Sequence, residues 1–341
     1  MMIDQPFTVR SLALRNRIVM PPMCMFSSDA TGVAQDFHRI HYGARAMGGT
    51  ALVIEEATAV TPEGRISDRD LGIWDDAQIP GLAELVRLIH GGGAAAGIQL
   101  AHAGRKSGSA SRPLIGPSAV AFDEKSRVPK EMDASDIARV VAAFRDGAAR
   151  ALAAGFDLVE VHAAHGYLLH GFLSPVSNQR ADGYGGSTEN RARLLLEVLD
   201  AIRSVWPEDK PIQVRLSASD YLARGLDIEE TIRIVHLIRD KADLFHISSG
   251  GVAPAPIRAY PGYQTGFSEA VRTACGVPTI AVGLITSLEQ AEETLSAGRA
   301  DLVALGRELL RDPYWPVRQK LRVPDLAIPV PEPYGRGFHI G

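Results

Sequence analysis

Eight short runs rich in valine, isoleucine and leucine recur along the chain, each followed by a longer stretch of helical periodicity. No other feature narrows the possible folds so far. The runs are RIVMP (17–21), ALVIEE (51–56), GIQLA (97–101), DLVEVH (157–162), PIQVRL (211–216), DLFHIS (243–248), PTIAV (278–282) and DLVAL (301–305). Most are continuous rather than alternating, as expected of parallel strands covered on both faces. Eight strand–helix units predict an α/β fold, the (β/α)8 TIM barrel. A doubly wound open sheet would show the same alternation.

Helix signals fall between the runs. Residues 227–239 place Ile228, Ile232, Val235 and Ile238 on one face, with Asp227 as the cap and Glu230 three residues on. Thr286 and Glu289 repeat the pattern, and Ser135 and Ser187 read as caps for the helices after strands three and four. Gly97, Gly155 and Gly298 read as helix-ending glycines. The barrel is expected to span 1–323, with a Pro- and Gly-rich tail, 324–341, laid over the surface or onto a neighbouring subunit. The loops after strands two, three, four and six are long, and long loops on one rim carry function.

Composition excludes several classes. A hydrophobic share of 46% with 22% charged residues suits a globular protein with a large core. A net charge of −4 gives no reason to expect nucleic acid or an anionic membrane. No apolar run reaches the roughly 18 residues of a membrane span. The stretch MMIDQPFTVRS contains Asp4 and lacks the apolar segment of a signal peptide. Cys24 and Cys275 are the only cysteines, too few for a Cys-rich zinc site or an iron–sulfur cluster, and the expected compartment is the cytoplasm.

In a barrel, chemistry gathers at the C-terminal ends of the strands. Those ends carry Pro22-Met23-Cys24, Ala57, Gln99, His162 with His165 and Tyr167, Arg215, Ser248-Ser249-Gly250-Gly251, Gly283, and Gly306-Arg307. Gly283, Gly306 and Arg307 would suit a phosphate, the glycines through close backbone approach and the arginine through a charge-assisted bond; simple tight turns would use the same glycines. Arg215 could neutralise a negatively charged flat ring, or pair with a carboxylate. Gln99 offers a donor and an acceptor to a pyrimidine edge, or is a satisfied core amide. His162, His165 and His170 crowd into HAAHGYLLH, but a zinc site wants a third ligand and an open position, and His170 lies in a Leu-rich stretch suited to packing. No metal is expected. Two neutral imidazoles can instead each donate to a single oxygen, with Tyr167 placed to give a proton.

The segments HAAHGYLLHGFLSP and NQRADGYGGSTENR, with PPMCMFS, EEATAV, IQLAHAGRK, VRLSASDY, AVGLIT and ALGRELLRDP, resemble the Old Yellow Enzyme family of flavin-dependent ene-reductases over nearly the whole chain. Cys24 and the YGRGF tail resemble its thermophilic-like subclass. The resemblance implies FMN bound without a covalent link and NADPH or NADH as reductant. It implies an NADPH dehydrogenase or ene-reductase that reduces activated C=C bonds of α,β-unsaturated carbonyl or nitro compounds. Hydride would come from flavin N5 and the proton from Tyr167. Carried over position by position, Pro22, Met23, Cys24, Ala57, Gln99 and Arg215 would surround the ring system, and Gly283, Gly306 and Arg307 would hold the phosphate. His162 and His165 would anchor the substrate oxygen, Lys106 would lie near the entrance, and Cys24 would adjust the flavin potential. Arg336 would reach the neighbouring subunit's site in a homodimer or homotetramer.

Two departures stand out. Phe26 occupies a position where relatives often carry tyrosine, removing one polar substrate contact. The tail reads Arg336-Gly337-Phe338 and runs on to Gly341, where relatives commonly end in RGW. Rival readings are N-demethylation or dienoyl reduction on the same scaffold, a non-catalytic flavin-binding redox sensor, and an aldolase-type lyase using Lys106 as a Schiff-base amine.

Overall fold

All eight apolar runs form strands, and the strands are parallel throughout. The structure is a computed structural model that describes residues 1–108 and 113–338, so the last three residues of the expected tail lie outside the described residues. The strands are β1 (Ile18–Met20), β2 (Leu52–Ala59), β3 (Ala95–Ala101), β4 (Leu158–Ala163), β5 (Ile212–Ser217), β6 (Leu244–Ser248), β7 (Thr279–Ala281) and β8 (Leu302–Ala304). The pairing of Val303 with Ile18 joins β8 to β1 and closes the barrel, which rules out the open sheet. Between the strands run α1 (Asp36–Met47), α2 (Ile79–Gly91), α3 (Ala134–Ala154), the short α4 (Leu168–Leu173), α5 (Thr188–Arg203), α6 (Ile228–Ile238), α7 (Thr265–Cys275) and α8 (Leu288–Ser296). After β8 come α9 (Gly306–Arg311) and a short final helix, Trp315–Arg318.

The barrel interior has two chemically distinct halves. Its N-terminal half is apolar: Leu52, Ile54, Leu158, Leu244, Ile280 and Leu302 meet there. An N-terminal hairpin, Phe7–Val9 paired with Leu12–Leu14, adds Val9, Leu12 and Leu14 to this cluster and closes that end. The second core lies between the barrel and its helices and contains Val53, Val86, Phe144, Val159, Leu195 and Val235. Burial at about 25 cal/mol per Å² of apolar surface makes these two layers the main source of stability.

Local readings need three corrections. Asp133, not Ser135, caps α3, because its carboxylate accepts the N–H groups of Ser135 and Asp136 and leaves Ser135 inside the helix. Ser287, not Thr286, caps α8, accepting the Gln290 N–H while Thr286 donates its own N–H to the Gln290 side chain. Gly97 lies inside β3, since α2 has already ended near Gly92. On α6 Ile228, Ile232, Val235 and Ile238 do face the core, the last two fully buried and the first two packed against it, with Thr231 and Ile234 buried beside them. Asp227, Ser187, Gly155 and Gly298 do as expected: the first two cap α6 and α5, and both glycines take left-handed backbone after a helix. The tail begins against the barrel, with Leu326 and Ile328 buried.

A register shift between Glu55 and Ala57 interrupts the β2–β3 ladder. The bulge aims Glu56 at α1, where Tyr42 Oη donates to Glu56 Oε1 (3.2 Å) and the Glu56 N–H donates back to Tyr42 Oη (2.9 Å). Glu56 Oε2 also accepts the Met25 N–H at 2.7 Å, so the bulge anchors the loop that carries Cys24. Neighbouring Glu55 is fully buried, and neither carboxyl oxygen has a hydrogen-bond partner among the described residues. Burial, and then the charge of Glu56, push its carboxyl well above the ordinary 4.5.

This predicts a pH-dependent stabilising substitution. The folded chain holds the Glu55 proton more tightly than the unfolded chain, so stability falls as pH rises above 4.5. Glu55→Leu should therefore gain about 1–3 kcal/mol at neutral pH, measured by urea unfolding, and the gain should shrink toward about pH 4.5. A gain that does not change with pH would contradict the assigned burial of an acid.

Candidate active site

The C-terminal half of the barrel interior is polar, and strand parity explains which residues line it. Leu158 and Leu244 point inward at the apolar end. Two-residue periodicity then turns Glu160 and His162 of β4 and His246 and Ser248 of β6 inward too. The register sets Glu160 beside Gln99 and Gln213, and His162 and His246 beside Arg215. Glu160 is fully buried and accepts from Gln99 Nε2 at 2.6 Å, from His246 Nδ1 at 2.9 Å, and from Gln213 Nε2. Burial works against its charge, but His246, Arg215 and Gln213 outweigh it and hold Glu160 below the ordinary carboxylate range.

Two residues along β5 from Gln213, toward the rim, lies Arg215. It is buried, its Nε has no partner, and its only hydrogen bond among the described residues is a long one from Nη1 to the Pro22 carbonyl, 3.5 Å. It forms no ion pair among the described residues, so it is not a conventional buried salt bridge. Arg215 forms the floor of a cleft that also includes Pro22, Met23, Gly283, Gly306 and Arg307. Gly283 adopts φ 137°, and a Cβ there would stand 3.1 Å from the Gln264 backbone nitrogen. Arg307 is exposed at the start of α9.

The histidines stand beside Arg215. The His162 and His165 rings are perpendicular, with centroids 5.2 Å apart, and Tyr167 packs edge-on to His162 at 4.9 Å. Burial first, and then Arg215, hold both imidazoles well below their usual range, so both are neutral at pH 7. His162 Nδ1 accepts the Ala164 N–H at 3.3 Å, which puts its proton on Nε2. His165 Nε2 lies 2.8 Å from Ser248 Oγ. Ser249 already donates to Gln264 Oε1 at 2.5 Å, whereas Ser248 reaches that oxygen only at 3.4 Å. Where Ser248 gives its proton to His165 Nε2, the N–H stands on His165 Nδ1. Burial raises Tyr167 above the ordinary phenol and keeps it protonated.

His165 has left-handed backbone, φ 58°, which side-chain-bearing residues rarely adopt. Three contacts hold it there. Its N–H donates to Ser217 Oγ (2.9 Å), its side chain meets Ser248, and its carbonyl accepts from Lys106 Nζ (2.7 Å). Lys106 also donates to the Gly251 carbonyl (3.0 Å) and sits between the rings of Phe122 and Tyr167. Burial, and then Arg105, pull its ammonium down to about 8. Lys106 therefore ties the loops after β3, β4 and β6 together, and an amine held by two carbonyls and two rings is not poised as a Schiff-base nucleophile.

Cys24 is half-buried; burial, Asp70 and Glu56 push its thiol up to about 12, so it stays a thiol. Ala57 pairs with Gln99 across β2 and β3. Phe26 is exposed with left-handed backbone, φ 51°, on the same loop as Cys24. His170 is a structural tie, accepting the Gly166 N–H at 2.7 Å with Asp220 3.1 Å away on its other side. Among the described residues no group of three or more His, Cys, Asp or Glu side chains could hold a metal, and no helix is long and apolar enough to cross a membrane. Arg336 is exposed on the Glu332–Gly337 turn and does not line its own chain's cleft.

The sequence reading missed Glu160, Gln213, His246 and Ser217. Their signal was present in EVH, QVR and HIS: polar residues two apart in otherwise apolar strands share one face. The residues present fit FMN. A buried guanidinium without an ion-pair partner suits an electron-rich ring, and the Gly283–Gly306–Arg307 side of the cleft suits a phosphate.

Comparison with known proteins agrees. Residues 3–325 match the NADH:flavin oxidoreductase / NADH oxidase family. An NADPH dehydrogenase of Geobacillus thermodenitrificans is 56% identical over 335 residues, covering 98% of this chain and 97% of the relative. An NADPH dehydrogenase of Clostridium acetobutylicum is 52% identical over 340 residues, covering 99% and 100%. Among solved structures, morphinone reductase superposes with a TM-score of 0.82 at 30% identity, covering 94% of this chain and 89% of that one.

The backbone contact between the loops is testable. At Gly166, φ 76°, an added Cβ would meet the Gly251 carbonyl oxygen at 2.1 Å; at Gly186, φ 79°, it would meet nothing. Gly186→Ala should lose only the roughly 1–2 kcal/mol of left-handed strain, and Gly166→Ala distinctly more by urea unfolding. Equal losses would show that the loops can part freely.

Proposed function

The chain belongs to the NADH:flavin oxidoreductase / NADH oxidase family, and on that premise we propose that this FMN-dependent, NAD(P)H-using oxidoreductase reduces the activated C=C bonds of α,β-unsaturated carbonyl or nitro compounds. When bound, FMN would supply the hydride-transfer chemistry between the nicotinamide and the electron-poor carbon. The chain's own residues do the rest. Pro22, Met23, Cys24, Ala57, Gln99 and Arg215 bind the ring system, and Gly283, Gly306 and Arg307 bind the phosphate. Arg215 brings a permanent positive charge to the ring without having to break an ion pair first.

The observation that carries the reading is the trio of His162, His165 and Tyr167 beside Arg215. His162 Nε2–H and His165 Nδ1–H grip the carbonyl or nitro oxygen. As neutral donors fixed before substrate arrives, they draw electron density toward that oxygen at little reorganisation cost. Tyr167 Oη gives its proton to the α-carbon. Its raised proton affinity keeps that proton in place until the carbon becomes basic. Cys24, held as a thiol, adjusts the ring's environment and takes no part as a nucleophile. Phe26 offers the substrate an apolar edge at the entrance. Arg336, exposed and without an ion pair among the described residues, is proposed to complete the entrance of a second copy's cleft in a homodimer or homotetramer.

The test separates the two half-reactions. Anaerobic protein reduced by NADPH should be reoxidised by 2-cyclohexenone in stopped-flow. Tyr167→Phe should slow that reoxidation by about 10²–10⁴-fold and leave reduction by NADPH nearly unchanged. No reoxidation by any enone or nitroalkene would overturn the substrate class, and equal losses in both half-reactions would overturn the role of Tyr167.

A further inference from the structure

A side-chain amide has a donor end and an acceptor end, and whichever faces a ligand decides what the ligand must offer. In the deepest polar layer, Gln99 Nε2 donates to Glu160 Oε1 at 2.6 Å. A carboxylate can only accept, so the amide cannot flip without losing this bond and setting two oxygens against each other. Glu160 cannot swing away either. Its second oxygen accepts from Gln213 and His246, so three strands other than its own hold one buried carboxylate. Gln99 Oε1 takes no donor among the described residues. It is the end left free for a ligand, and the small Ala57 is its neighbour across the β2–β3 ladder.

We propose that Glu160 is the positioning residue that locks Gln99 with its carbonyl oxygen toward the cofactor, selecting a ring edge that presents an N–H there. The pyrimidine edge of an isoalloxazine has one such group, the imide N3–H. The inference rests on the flavin reading above and adds to it the origin of a selectivity. A freely rotating amide would accept either polarity, whereas a locked one discriminates and is ordered before the ligand arrives. Gln213, His246 and Glu160 touch no part of the ring; they act through Gln99.

FMN affinity of the apoprotein, followed by quenching of flavin fluorescence, tests this without any turnover. Wild type should bind FMN about tenfold more tightly than 3-methyl-FMN, in which N3 cannot donate. Glu160→Gln frees the amide and should weaken FMN binding by about tenfold. The polarity swap Gln99→Glu with Glu160→Gln should recover most of that loss, because Glu160→Gln then donates to a carboxylate at 99 whose other oxygen still faces the cleft. A merely structural Glu160 would not be rescued by the swap. Unchanged FMN affinity in Glu160→Gln, a double variant no better than the single, or equal wild-type affinity for the two flavins would each overturn the lock. Should Glu160→Gln fail to fold, the wild-type comparison alone decides. Wild type that takes up neither flavin would overturn the flavin reading itself, whereas uptake of both with equal affinity would overturn only the lock.

Discussion

Arg215 is a buried cation without an ion-pair partner, and the rest of the active-site end is arranged around making that tolerable. Removing a guanidinium from water costs several kcal/mol unless charge or hydrogen bonds compensate. Direct contact with a carboxylate would be the simplest compensation, but it would neutralise the cation where the cleft needs it. The chain sets the compensating charge one layer down instead. Glu160 lies beneath Arg215, ionised by three donors, and is the charge that most favours the protonated guanidinium. The separation keeps Arg215 ionised while leaving its field directed at the cleft. That field is felt around the mouth: it helps keep His162 and His165 neutral, and it offsets part of the burial that raises Cys24 and Tyr167.

Electrostatics alone would not place the imidazoles; backbone geometry does. His165 can adopt its left-handed turn only because the loops after β3 and β6 press against it. Gly166 and Gly251 let two backbones touch, and Lys106 bonds the carbonyl on each side of the contact. Strain of roughly 1–2 kcal/mol is thus held by contacts from the ends of β5 and β6 and from the loop after β3. A lysine that reads in sequence as a chemical candidate is, in the fold, the tie that keeps the histidine pair at its spacing. The same ammonium lies against the Tyr167 ring, so one residue couples the proposed oxygen-binding pair to the proposed proton donor.

Strand runs were legible because buried parallel strands must be apolar almost throughout, and all eight appeared within a few residues of their true limits. Helix caps were less so. Asp133 and Ser135 are both good caps by type, and only backbone geometry decides between them. The rim residues were legible because type and position agree there: His162, His165, Tyr167 and Arg215 do meet. Glu160 was hidden in plain sight, since a lone acid inside VEV reads as tolerated noise until its neighbours on other strands are known. Gln213 and His246 come from strands β5 and β6, and only the register shows that all of them serve one carboxylate. The Lys106 clamp was not legible at all, because it bonds to backbone carbonyls, which carry no sequence signature.

The same two-layer logic bears on what the cleft can accept. Beside the histidine pair the fixed charge is a cation, Arg215, while the groups around it there are neutral at pH 7: two imidazoles, a phenol and a thiol. An electron-rich ring sits well over the cation. A neutral molecule with one hydrogen-bond-accepting oxygen sits well under the imidazoles. A cationic substrate would meet Arg215 and Lys106 with no carboxylate within the trio to receive it, and that repulsion is the cost a specific site imposes on the wrong partner. A strongly anionic substrate would gain from Arg215 only by displacing the flavin ring proposed to lie over it. The arrangement therefore favours uncharged molecules polarised toward a single oxygen. In the proposed reaction the negative charge appears on that oxygen only as hydride arrives, and there the two preset N–H donors are worth more than they were to the neutral ground state.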